Sequence, residues 1–259
     1  MGEIIGNIDV TQVTLYVFWI FFAGLILHLR REDKREGYPM EADPSNPSEK
    51  NSRRMVGYPD VPEPKEFRMP DGTKRYAPRP EKDTRELKAK PLYPWPGSPL
   101  TPTGDPMQDG VGPASYAERD DHAELNLDGK PRILPLRVAN DFYVASQDPN
   151  PVGMTVIGCD NQSVGTVADV WVDRAEPKIL YFEVKLNDGM KTVLLPHNFS
   201  RIYTGKKQIK VNSITSKHFV NVPGIKSPDQ ITSLEEDRIM AYYGGGHLYA
   251  TPSRQEPLI

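Results

Sequence analysis

The side chains with chemical potential in this 259-residue chain are carboxylates. Glu118, Asp120, Asp121 and Glu124 form one patch, and Asp169, Asp173 and Glu176 form another. Acids near a membrane interface, with affinities raised by desolvation or by one another, can take up and release protons near neutral pH. The plainer reading is a solvated acidic surface, and for Asp173-Arg-Ala-Glu176 a charged hairpin turn. The histidines, His28, His122, His197, His218 and His247, form no HExxH or HxH pair and have no cysteine at ligand spacing. The one cysteine, Cys159, has no intramolecular disulfide partner and reads as a small buried apolar residue on the reducing side of a membrane. There is no GxSxG elbow and no P-loop, because Gly205-Lys-Lys207 lacks the preceding glycine pattern. A non-catalytic protein is therefore expected, and the net charge of −3 carries no basic excess to suggest nucleic acid.

What would hold those acids near a membrane lies at the start of the chain. From Val10 to Leu29 there is no Asp, Glu, Lys or Arg, and the run contains Tyr16, Phe18, Trp19, Phe21 and Phe22. At about 1.5 Å per residue it reaches roughly 30 Å, the hydrocarbon thickness of a bilayer. A cleaved signal peptide would open with positive charge and end in small residues, whereas here Glu3 and Asp9 precede the run and Arg30-Arg-Glu-Asp-Lys-Arg35 follows it. Residues 10–29 are thus expected to form one transmembrane helix. The cations after the span place residues 1–9 on the outer side and the rest in the cytoplasm. Arg30, Arg31, Arg35 and Tyr38 are the expected lipid-headgroup contacts, and Ala23-Gly24 is a small-residue notch for a helix of a partner. His28 sits at headgroup level, where an imidazole is comfortable without a ligand.

Sixteen of the 26 prolines fall between Pro39 and Pro113. Proline denies the backbone both helix and central-strand pairing, so residues 30–113 should be an extended surface strap. Apolar beads such as Val56, Phe67, Tyr93 and Trp95 suit a strap that lies on another protein, and Pro70-Asp-Gly72 suits a hairpin turn.

After Pro113 the composition becomes globular. Strand-like pieces are expected at Phe142–Ala145, Met154–Cys159, Ser163–Asp173, Ile179–Leu186, Lys191–Leu195, Phe199–Tyr203 and Gln208–Val211, with Asn187-Asp-Gly189 as a strong hairpin turn. Apolar residues on both faces of Ser163–Asp173 suggest a compact antiparallel β-barrel-like domain over residues 114–259. Ser233-Leu-Glu-Glu236 reads as a capping box opening a short helix, and Gly244-Gly-Gly246 as its end. The fold class is an α+β membrane protein.

Three long motifs then point to one family. Arg30-Arg-Glu-Asp-Lys-Arg-Glu-Gly-Tyr-Pro39 follows the span, and Pro102-Thr-Gly-Asp-Pro-Met-Gln-Asp-Gly-Val-Gly-Pro-Ala-Ser-Tyr116 and Val170-Trp-Val-Asp173 come next. With the C-terminal run from Asn221 to Pro252, they resemble the H subunit of the photosynthetic reaction centre of purple bacteria. The resemblance implies a PRC-barrel domain and a chain without pigments of its own. It implies capping of the L and M subunits, which hold bacteriochlorophyll, bacteriopheophytin, quinones, a non-haem iron and carotenoid, with a cytochrome subunit and light-harvesting antenna as further candidate partners. It also implies shielding of the secondary quinone and help with its protonation, and the family's two proton-path acids fall on Asp173 and Glu176. Some members carry histidines at the proton entrance where this chain has Asp128-Gly129-Lys130-Pro131, which leaves Asp128, Asp121 and His122 as weaker candidates. Leu180 stands where some relatives have an arginine near the acid pair. The competing reading is a single-span adaptor whose barrel domain binds a soluble partner.

Overall fold

The computed structural model describes residues 3–5, 8–38, 40–41, 54–70, 72–79, 84–95, 97–189 and 191–255. The chain forms two compact units, residues 1–84 with 91–99, and residues 85–90 with 100–259.

The first unit contains α1, Val10–Glu32, three residues longer at its C-terminal end than the expected span. Asp9 caps it by accepting from the Gln12 amide at 2.8 Å, and Arg30 and Arg31 in the last turn suit the negative end of the helix dipole, which carries the helix past the apolar run. None of its residues is buried within the chain, so its apolar surface needs lipid or a partner helix to cover it. It is the one described helix long and apolar enough to cross a membrane. A 3₁₀ turn, Asp33–Arg35, follows and ties down the extended segment. The Lys34 ammonium, 3% exposed as a residue, donates to the carbonyls of Val56, at 2.6 Å, and Pro59. Arg35 donates to those of Glu63 and Ala77 at 2.8 and 2.9 Å while pairing with Glu32. The carbonyls of Val56, Pro59 and Glu63 belong to Pro-rich backbone outside any strand, and the two cations supply the donors that a partner strand would have supplied. Arg30 and Arg31 are exposed, and Tyr38 lies half-buried beneath Lys34. The expected hairpin forms as β1, Lys65–Arg68, against β2, Lys74–Ala77, around Gly72 at φ +82°.

The second unit is built on a sheet. Its strands are β3 (Ile133–Pro135), β4 (Thr155–Ile157), β5 (Ser163–Asp173), β6 (Lys178–Leu186), β7 (Thr192–Pro196), β8 (Ser200–Tyr203) and β9 (Gln208–Val211). They are hydrogen-bonded in the order β7-β6-β5-β4-β9-β8, with β3 pairing the last residues of β5. Every pairing is antiparallel except β4 with β9. The ladder does not close among the described residues, so the expected barrel is an open, mixed sheet. Phe142–Ala145 is no strand. Its turns are held by the Phe142 amide on the Ala139 carbonyl and the Asp148 amide on that of Ala145, and the strand of this region is β3 instead. The core gathers Trp171, Phe182, Leu195, Ile209, Ile214, Ile239 and Tyr243. The end of β5 lies between β3 and β6, which is why alternation fails there: residues Val170 to Asp173 are all buried.

Three further expectations are corrected. Within the stretch expected to be extended, Pro106–Asp109 forms a helical turn, α2, capped by Asp105 and burying Met107. The last helix, α3 (Ser233–Tyr249), is capped by Thr232 and not by Ser233: Thr232 Oγ1 accepts from the Glu235 amide, and the Glu235 carboxylate accepts from the Thr232 amide at 2.9 Å. The Ser233 and Leu234 amides already donate to the carbonyls of His122 and Asp120, which places the cap one residue earlier. Nor do the three glycines end α3, which continues through them to Tyr249. They allow close approach. A Cβ on Gly245 would fall 2.5 Å from that of Ala114, and one on Gly246 2.7 Å from the Ser213 carbonyl.

In an open helix interior, glycine to alanine stabilises by about 1 kcal/mol. Gly246→Ala is expected to do the opposite here, costing about 2 kcal/mol through overpacking against Ser213 and Ile214. A lowered thermal midpoint of the purified variant checks this, and a raised one would show that the glycine is not needed for packing.

Candidate functional site

The site forms where β5 ends. Asp173 is fully buried and pairs in register with Ile133 of β3 and Lys178 of β6. An unpaired carboxylate there would be very costly. Its charge is met by Arg132, the residue before β3: Nε lies 3.0 Å from each carboxylate oxygen, and the terminal nitrogen donates to Oδ2 at 2.6 Å. The amides of Ala175 and Glu176 complete the shell, donating to Oδ1 at 2.8 and 3.2 Å. Burial pushes the Asp173 carboxyl up, but the Arg132 guanidinium and these amides outweigh it and hold the group below the usual carboxylate range. Arg132 is raised by the same hydrogen bond.

From Asp173 the charges run on without a gap. Arg132 also reaches Glu124 at 3.2 Å, Glu124 accepts from Arg119 at 2.8 Å, and Arg119 lies 3.6 Å from Asp237 on α3. The neighbouring Glu236 behaves in the opposite way to Asp173. It is half-buried, and Oε2 accepts from the Tyr181 hydroxyl of β6 at 2.9 Å. Desolvation raises its affinity for a proton more than the Tyr181 hydrogen bond lowers it, and Glu124 adds repulsion. Tyr181 is itself held protonated by burial and by Glu236. Two desolvated carboxyls of one unit are thus shifted in opposite directions, Asp173 toward the ionised form and Glu236 toward the protonated one.

The other expected acids are placed differently. Glu176 adjoins Asp173 through its backbone, but its carboxylate is two-thirds exposed and is held low by Lys178, 2.6 Å away. Asp121 accepts from Thr232 and Lys226, contacts that fix the chain against the start of α3, and Lys226 lowers it. His122 is exposed, its carbonyl accepting from Ser233. Asp128 is exposed on a turn organised by the Asn126 side chain. Asp169 belongs to a separate cluster, in which Arg137 bonds Asp169 at 3.0 Å and Glu183 at 2.7 Å while the Trp171 indole donates to Glu183 at 2.9 Å. Arg132, Glu236 and Tyr181 were not singled out from the sequence. Glu236 was visible only as part of a helix start, and Arg132 had no signal until β3 was paired with β5. Among the described residues no three His, Cys, Asp or Glu converge to hold a metal.

Replacing Arg132 with Gln leaves Asp173 buried without its countercharge. A loss of about 2–3 kcal/mol of stability is expected, less than for a wholly buried pair because about a third of the Arg132 side chain is in water. The folded affinity of Asp173 lies below its unfolded one, so its contribution is present above the ordinary value of 3.8 and vanishes as the pH falls through the folded value. The stability gap between wild type and Asp173→Asn should therefore close on acidification below that value. Chemical denaturation at pH 7 and pH 3 measures both effects, and a gap independent of pH would mean that Asp173 acts through packing alone.

Residues 2–138, just over half the chain, match the family described as photosynthetic reaction centre, H-chain N-terminal region. Residues 145–218, which run from the loop before β4 to the turn after β9, match the PRC-barrel domain. The apolar α1 with its cation-rich exit falls in the first match, as does β3, and the strand β5 that carries Asp173 falls in the second with β4 and β6 to β9. The chain belongs to the family of photosynthetic reaction centre H subunits, structural proteins that associate with the other subunits of the centre.

Proposed function

We propose that this chain lies as a cytoplasmic lid on the L and M subunits, shields their secondary quinone and helps to deliver protons to it. In this reading α1 crosses the inner membrane with its N-terminus in the periplasm. The pigments, quinones, iron and carotenoid reside in the partners, and a cytochrome subunit and antenna complete the assembly. Lipid headgroups gather at Arg30 and Arg31, the exposed pair, more than at Arg35, which is occupied by Glu32 and the strap.

The observation that carries the proposal is the chain of ion pairs from Asp173 through Arg132, Glu124 and Arg119 to Asp237, with Asp173 shifted toward the ionised form at one end and Glu236, next to Asp237, shifted toward the protonated form at the other. A quinone reduced by two electrons calls for two protons in a site of low dielectric, where bare charge is costly. Side chains that carry protons inward one at a time meet that need without admitting bulk water. Glu236 suits the holding of a proton at its carboxyl, with the Tyr181 hydroxyl fixing the orientation. Asp173 suits the ionised state, and its negative charge keeps a cation or an arriving proton favourable nearby. Glu176, exposed beside it, is the group that solvent reaches first.

The test uses the whole pigmented complex. Asp173→Asn with Glu176→Gln, and separately Glu236→Gln, should slow flash-driven proton uptake and the second electron transfer by about a hundredfold, the low end of what one proton-transfer group contributes, while leaving the first electron transfer unchanged. Wild-type rates in both variants would refute the proton role. A colourless preparation of the native protein would refute the lid role as well.

A further inference from the structure

The hairpin at the edge of the sheet is left unused by the proton network. It comprises β8 and β9, and β8 ends the ladder with its outer backbone edge unpaired among the described residues. From Phe199 to Val211 it carries Arg201, Lys206, Lys207 and Lys210 and no acid, in a chain whose net charge is −3. Arg201 and Lys210 are direct cross-strand partners. Like charges opposite one another on a sheet destabilise it, so folding alone gives no reason to keep both. Lys210 donates to Asn161, an uncharged partner. Arg201, Lys206 and Lys207 are exposed and have no ion pair among the described residues. The strand β4 that packs alongside β9 contains no charged residue. Asp160, the nearest acid following it, is committed to the amide and hydroxyl of Ser216.

The hairpin is more than a charge cluster. Tyr203 lies two residues from Arg201 on the same strand face, 40% exposed, with the guanidinium 5.6 Å from its ring. The turn between the strands projects Lys206 and Lys207, and Lys207 adopts a left-handed φ of +49° that a glycine would take more readily. A lysine is present where backbone geometry favours its absence. Cations beside an exposed tyrosine make up the composition of side chains at a membrane–water interface. The chain also supplies its own bilayer: with a membrane-spanning helix in the same polypeptide, the local concentration of lipid surface around the hairpin is high.

We infer that the β8–β9 hairpin is a second, electrostatic membrane contact, in which Arg201, Lys206, Lys207 and Lys210 face the anionic headgroups of a bilayer and Tyr203 sits at their level. Such a contact needs no lipid-specific pocket. It weakens as salt screens the surface potential. It rests on α1 and the hairpin and not on the proton network, so the two readings fail separately.

The test is lysine acylation of the intact complex in nanodiscs, read peptide by peptide, with the exposed Lys217 as internal reference. In nanodiscs containing phosphatidylglycerol, Lys206 and Lys207 should react severalfold more slowly, relative to Lys217, than in phosphatidylcholine alone. High salt should abolish the difference. Arg201→Gln with Lys210→Gln, which leaves both reporter lysines in place, should reduce the protection. Equal reactivity in the two lipids would overturn the inference. Equal protection in both would overturn it too, and would assign the hairpin to a protein neighbour.

Discussion

A negative charge with no access to water sits at the end of the central strand, and the second unit is arranged around meeting it. Asp173 is buried because β3 and β6 flank β5 at that point. The cost of that burial is offset by Arg132 and two turn amides. Arg132 can reach only because β3, which begins at the next residue, pairs with the last residues of β5. The short strand, the turn after Asp173 and the arginine are thus one solution to one electrostatic problem. Replacing the pair with apolar residues of the same volume would solve it as well for stability. That the chain keeps the charges instead is an argument that they do something besides hold the fold.

The opposite treatment of Glu236 supports that view. Both carboxyls are desolvated, but one receives a guanidinium and amides while the other receives only a phenol. A hydroxyl can donate to an ionised carboxyl or accept from a neutral one, so the Tyr181 contact survives a change of protonation state. The Arg132 contact favours a single state. Strand β6 presents Tyr181 to α3 as firmly as β5 presents Asp173 to Arg132, and neither position depends on a loop.

What the sequence made legible divides by the range of the interaction. The β1–β2 hairpin turn, the boundaries of β5 and the hairpin turn after β6 follow from hydrophobic period and turn chemistry within a few residues and stand as read, and the apolar run is legible as one long helix, which continues three residues past it. Three features do not. The glycine run 244–246 carries the usual local signal for a helix end, yet α3 continues because Ala114, Ser213 and Ile214 need the room, a long-range fact. The open sheet with its parallel β4–β9 pairing depends on which strands meet, and alternation along one strand cannot report that. Arg132 lies 41 residues from Asp173, and only the β3 pairing joins them. The acids were visible as residue types, but their protonation states depend on partners that spacing does not identify.

The same division separates the two ends of the molecule. At the exit of α1, Lys34 and Arg35 look by position like headgroup ligands, but their donors reach carbonyls 22 to 42 residues onward. A carbonyl row without a partner strand must find donors within the protein or in water. Cations on a rigid helix end can satisfy it and still lie beside a bilayer. Flexible lysines in solvent would lose more rotamer freedom in making the same bonds. The clasp thus follows from the prolines: a segment that for the most part lies outside any sheet is held by charge at its first rigid neighbour, and Arg30 and Arg31 stay exposed.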